Sequence, residues 1–172
     1  MTTKRRDDVR HATVGTVEIS IVKSEGGPHR AVVSRPGREV AQFAVYDYGP
    51  TLPHDLVHYV VEDELRIEFG FWGLLAAGAK LQSVQAYGAR DPRRIPKDED
   101  PLVRAHVEQL LNAERFAAAF SGLPGAAVDR DLDAATAERI RSRIDELNRR
   151  WQATPAGDVF RLAWPTASGL AG

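Results

Sequence analysis

At Gly49-Pro50-Thr51-Leu52-Pro53 the hydrophobic period of this chain changes from two to about 3.6, and the change dictates a sheet followed by helices. Upstream, Val17, Ile19 and Ile21 alternate with Glu18 and Ser20, the pattern of a half-buried strand. Glu25-Gly26-Gly27-Pro28 breaks it, Ala31 to Ser34 resumes extended character, Arg35-Pro36-Gly37-Arg38 makes a second turn, and Val40 to Tyr48 gives a third run. Three strands joined by short links imply an antiparallel meander.

Downstream the spacing predicts a helix from about Pro53 to Asp63 or Leu65. Thr51 reads as its N-cap and Pro53 as a first-turn residue whose missing N–H costs nothing there. Phe69 to Leu75 is rich in aromatics and glycine, and Leu74 to Lys80 reads as a short helix running towards Val84. Arg90 to Pro101, with three prolines, reads as an exposed loop. Amphipathic helices are expected over Leu102–Phe120 and Asp133–Gln152, parted by the breaker Gly122-Leu123-Pro124-Gly125. Val159 to Trp164 alternates like a strand returning to the sheet. The expectation is α+β: one domain over residues 12–166, with flexible ends at 1–11 and 167–172. Its antiparallel sheet takes three N-terminal strands plus the C-terminal one, under about four helices.

Composition narrows the function classes. With 172 residues, 43% hydrophobic and 27% charged, the chain is long enough to close one sizeable core. Without a cysteine it has neither disulfides nor a thiolate, so any metal must be held by nitrogen and oxygen. A net charge of -1, with basic residues scattered except at Lys4-Arg5-Arg6, gives no general attraction for nucleic acid. Met1 to Arg10 is too polar for a signal peptide, and no run approaches the roughly 18 apolar residues of a membrane span. A cytoplasmic protein with a small-molecule or peptide partner, and neither nucleic acid nor membrane, is the expectation.

The run Leu52-Pro53-His54-Asp55-Leu56-Val57-His58-Tyr59-Val60-Val61-Glu62 is where the chain looks built for chemistry. On a helix, residues four apart stack with an offset of about 40°, so His54, His58 and Glu62 project from one face. Two imidazoles and a carboxylate there suit a divalent metal, zinc first, with an open position for water. Asp55 is the candidate general base, or an orienter of one histidine. The local excess of Asp55, Glu62, Asp63, Glu64 and Glu68 over Arg66 also invites a cation.

This spacing resembles the His-Glu-x-x-His helix of zinc metallopeptidases, over about nine residues. The resemblance implies zinc on His54 and His58, Asp55 in place of the glutamate base, and Glu62 as third ligand. Aspartate is one methylene shorter than that glutamate, and the peptidases take their third ligand from further along the chain. The longer pattern of Pro53-His54-Asp55-Leu56-x-His58-x-Val60-Val61-Glu62, Gly70-Phe71-Trp72-Gly73, Arg150-Trp151 and Trp164-Pro165 is similar to a bacterial family of uncharacterised proteins. That similarity spans Val14 to Pro165 and implies no activity.

The competing interpretation is a non-catalytic binding module in which the histidines form a structural hydrogen-bond network and Asp55 sits at a helix start for electrostatic reasons. Asp47, Tyr48, Phe71 and Trp72 are candidates to line a pocket beside the helix, the aromatics serving otherwise as core. His11, His29 and His106 stand alone in sequence. The arginines from Arg139 to Arg150, interspersed with acids, read as a solvated face.

Overall fold

The computed structural model describes residues 15–47, 49–81, 100–122 and 132–166. Three strands, β1 (Thr16–Val22), β2 (His29–Arg35) and β3 (Arg38–Val45), form the expected meander, and β4 (Val159–Pro165) returns to the far side of β1. The sheet order is β3-β2-β1-β4 with every pairing antiparallel. Ile19 faces Val33 on one side and Leu162 on the other, and this register puts the apolar residues of three strands on one face. Val17, Ile19, Ile21, Val33, Phe160, Leu162 and Trp164 are all buried there. Pro36 fixes a negative φ in the β2–β3 turn while Gly37 takes the positive one at 73°. A register shift at Val33/Ser34 leaves β3 an irregular, half-exposed edge.

Five helices among the described residues cover the inner face: α1 (His54–Glu64), α2 (Phe71–Ala77), α3 (Pro101–Ala105), α4 (Val107–Phe120) and α5 (Ala134–Ala153). Helix α1 begins where the sequence places it, yet its N-cap is Pro53 and no side chain caps it, so Thr51 does not have the expected role. The expected 102–120 helix is two helices parted at His106, whose ring stacks on Phe69 at 3.7 Å. Asp100 caps α3 by accepting the Leu102 N–H at 2.8 Å, and Asp133 caps α5 through Thr136 N–H.

Helix α1 is the hub, touching α2, α4 and α5. Leu56, Val57, Val60 and Val61 pack into the core, and Tyr59 Oη donates to the Ala163 carbonyl of β4 at 2.9 Å. Arg143 of α5 reaches Asp63 and Glu64 at 2.7 and 2.8 Å, and Arg139 reaches Glu64 at 3.4 Å. These arginines therefore clamp α5 to α1 rather than forming only a solvated face. They also neutralise part of the acidic excess on α1, at Asp63 and Glu64.

The sequence expectations for residues 1–11 and 167–172, for His11 and Tyr48, for most of the Arg90–Pro101 loop and for Leu123 to Gly125 lie outside the described residues. Among the described residues no helix is long and apolar enough to cross a membrane.

Candidate metal centre

His54 and His58 lie one turn apart on α1, their rings 4.9 Å apart and nearly perpendicular. Helix α4 packs across this face and brings Glu114 to both: its Oε2 is 3.4 Å from His54 Nε2 and 3.3 Å from His58 Nε2. His54, His58 and Glu114 form a group whose ligand atoms all lie within 4.8 Å of one another, close enough to hold a metal ion.

The opposite ring nitrogens are committed elsewhere. His54 Nδ1 is 2.9 Å from Ser121 Oγ, and that hydroxyl gives its own hydrogen to the Ala117 carbonyl at 2.7 Å. With the hydroxyl so turned, Ser121 accepts from His54 Nδ1–H and Nε2 carries the lone pair; in the other tautomer Nε2–H donates to Glu114 Oε2 at 3.4 Å. His58 Nδ1 is 3.0 Å from Glu62 Oε1, an acceptor when ionised, and this directs the His58 Nε2 lone pair to the same point. His58 Nε2 is buried and has no hydrogen-bond partner among the described residues, since Glu114 is near enough to pair by charge but lies outside hydrogen-bond alignment.

A buried imidazole nitrogen facing a carboxylate is stabilised by a positive charge between them. In the metal-free chain that charge is a second proton on His58. Burial alone would lower its pKa, but the flanking carboxylates of Glu114 and Glu62 push it up to about 10. Burial likewise opposes ionisation of Glu114, yet contact with His54 and His58 holds its pKa at about 2. For Asp55 burial prevails and the pKa is raised, although His58 and His54 pull the other way. Among the described residues nothing bonds to its carboxylate; its backbone carbonyl accepts the Trp72 Nε1–H at 2.7 Å.

Glu62 lies apart from the group. Its side chain is fully buried on the Nδ1 side of His58, where Oε1 accepts Phe71 N–H at 2.7 Å and Oε2 accepts Trp72 N–H at 3.0 Å. Desolvation raises its pKa despite these donors. The third donor of the group is Glu114, not the Glu62 expected from sequence, because α4 covers the His54–His58 edge while α2 has taken the Glu62 carboxylate. The run is also deeply set, His58 and Glu62 each being 1% exposed. The way in is past His54, whose side chain is 32% exposed against 12% for Glu114.

Among the described residues, Asp47 lies apart from Phe71 and Trp72. Phe71 and Trp72 are core, Phe71 backing the His58 ring at 5.7 Å. Asp47 accepts Gly49 N–H and Trp151 Nε1–H and faces His29 at 3.7 Å, a separate cluster at the end of the sheet.

Sequence reasoning missed Glu114 and Ser121, yet a signal exists. Leu110, Glu114, Ala117 and Ser121 recur at spacings of four, three and four along one stripe of α4, beside the buried Leu110 and Ala117. Two polar residues on an otherwise apolar stripe call for a buried polar partner, and both meet His54. Comparisons with protein-family models, with curated proteins and with solved structures returned no match to this chain.

Proposed function

We propose that the protein holds one divalent metal ion, zinc first, on His54 Nε2, His58 Nε2 and Glu114, and that the site carries out metal-dependent hydrolysis. The observation that carries this reading is the buried His58 Nε2, without a hydrogen-bond partner among the described residues and paired only by charge with Glu114, gathered with His54 and Glu114 into one group of ligand atoms. Two of the three spacings support it: a tetrahedral ion with bonds of about 2.0–2.1 Å has donor-to-donor edges of roughly 3.3–3.4 Å, against 3.3 and 3.4 Å from Glu114 to the two imidazoles, with all the donors within 4.8 Å of one another. The donor set, two imidazoles and one carboxylate without thiolate, suits zinc with one position left for water. A third donor from a second helix, further along the chain, also agrees better with the zinc-peptidase pattern than Glu62 did.

When bound, such an ion supplies Lewis acidity and a water whose pKa falls towards roughly 7. The chain's own groups do the rest. Glu62 and Ser121 hold the imidazoles in the Nδ1–H tautomer, and Phe71 excludes water behind His58. Asp55, partly covered and with a raised pKa, takes the proton from the attacking water and returns it to the leaving group. A small-molecule or peptide substrate would approach past the His54 side chain, which is 32% exposed. Membership of the bacterial family with the Pro-His-Asp-Leu-x-His motif is part of this proposal, as is a cytoplasmic location.

One observation favours a second reading. The imidazolium of His58 between Glu62 and Glu114 satisfies the cluster without any metal, which would make the network structural and the protein a non-catalytic binding module. Elemental analysis and zinc titration of untagged protein separate the two. The metal reading predicts one zinc per chain, abolished in His58→Ala and Glu114→Ala, and ester or peptide hydrolysis that falls by about 100-fold or more in Asp55→Asn with zinc retained. Folded wild type that takes up no zinc refutes it. Zinc uptake without hydrolysis of any ester or peptide refutes the catalytic part alone.

A further inference from the structure

Helix α2 has no cap of its own. Gly70 precedes it, and no side chain adjacent in sequence bonds to its first N–H groups. Glu62, eight residues earlier on a different helix, fills that role with both carboxylate oxygens. The fit leaves no spare room: a Cβ at Gly70 would lie 2.4 Å from the Glu62 carboxyl carbon and 2.6 and 2.7 Å from its oxygens. One of these oxygens, Oε1, is also the acceptor for His58 Nδ1. A single buried carboxylate therefore ties a ring of the metal group to the first turn of the helix that carries Phe71 and Trp72.

We propose that Glu62 is a positioning residue with two linked effects: it orients His58 so that Nε2 meets the metal, and it transmits occupancy of the site to the start of α2. The proposal rests on the metal reading above. A cation on Nε2 draws electron density from the imidazole and makes Nδ1–H a stronger donor, so the carboxylate is held more firmly where Phe71 and Trp72 need it. The coupling is reciprocal: whatever fixes Glu62 raises metal affinity, and metal binding steadies the α2 turn. Gly70 belongs to the same device, because only a residue without a side chain leaves the carboxylate its place.

The test uses the full chain. Zinc and cobalt(II) affinities are measured by chelator competition in wild type, Glu62→Gln and Gly70→Ala, with circular dichroism checking that each is folded. Amide exchange at Phe71 and Trp72 is followed by NMR with and without zinc. Wild type should show slower exchange at those two amides on loading. Glu62→Gln should bind about 10–100-fold more weakly and lose the zinc-dependent slowing. Gly70→Ala, which keeps the carboxylate but takes its space, should weaken binding in the same direction and shift the cobalt absorption bands, a change that altered stability alone does not produce.

A folded variant of either kind with wild-type affinity and intact slowing overturns the proposal and leaves the metal site standing. Wild type that takes up no zinc overturns both. If Glu62→Gln does not fold, Gly70→Ala and wild-type exchange decide: zinc that leaves the Phe71 and Trp72 amides unchanged refutes the coupling.

Discussion

His58 is pulled from both sides, by Glu62 at 3.0 Å and Glu114 at 3.3 Å, and the consequence is a definite dependence on pH. Its folded pKa is raised from 6.5 to about 10, so in the metal-free protein this pairing stabilises fully below the ordinary value and is lost as pH rises through about 10. Glu114 acts in the opposite sense: its pairing is present above 4.5 and is lost as pH falls through about 2. Thermal denaturation of the metal-free protein should therefore show a Tm that falls as pH is raised towards about 10, and His58→Asn should lack that part of the decline. With zinc bound the ring carries no second proton, so the same part of the decline should vanish from the wild-type profile. A metal-free slope that matches the zinc-loaded one would contradict this assignment of the proton. At this scale the sequence was half legible. His54 and His58 announce themselves by spacing alone, whereas Glu62 has the right period but is captured by two amides that no local pattern reveals.

Helix α2 is positioned by contacts that come from far along the chain. Gln109 accepts the Phe69 N–H at 3.0 Å, Glu62 takes the first amides of the helix, and Arg35 Nη2 donates to the Ala76 carbonyl at its other end. Gly73 allows its close approach to the preceding turn, since a Cβ there would fall 1.8 Å from the Glu68 carbonyl oxygen. That oxygen is backbone and cannot swing aside. Gly73→Ala should cost at least about 1–3 kcal/mol in urea denaturation, and a loss below about 0.5 kcal/mol would show that the turn yields more easily than this packing implies. The α5 clamp is weaker despite its short distances, because Arg143 is 37% and Asp63 32% exposed. Arg143→Ala should cost about 0.5–1 kcal/mol and less at high salt. Strands β1 to β4 and helices α1, α4 and α5 were legible because each carries its own period. The Thr51 cap and the break at His106 were not: one depends on where the chain leaves the sheet, the other on a ring stacked from a different turn.

In the molecule as a whole, the sheet, the meander with its returning fourth strand and the covering helices follow from alternation and spacing that a single chain displays. The candidate site does not, because its third donor stands 56 residues beyond His58, on a helix whose crossing of α1 is set by tertiary packing. An ion on His54, His58 and Glu114 would staple α1 to α4 across that separation. Zinc at 100 times its dissociation constant should accordingly add about 2.7 kcal/mol of stability, read as a Tm increase of roughly 5–10 °C for a chain of this size. Glu114→Gln should lose most of that increase while keeping the fold. The most direct measurement is the anomalous scattering of a zinc-loaded crystal at the zinc absorption edge. A single strong peak at about 2.0–2.1 Å from His54 Nε2, His58 Nε2 and a Glu114 oxygen is the predicted result. No peak there in crystals grown with excess zinc, or a peak only at surface carboxylates, would contradict it.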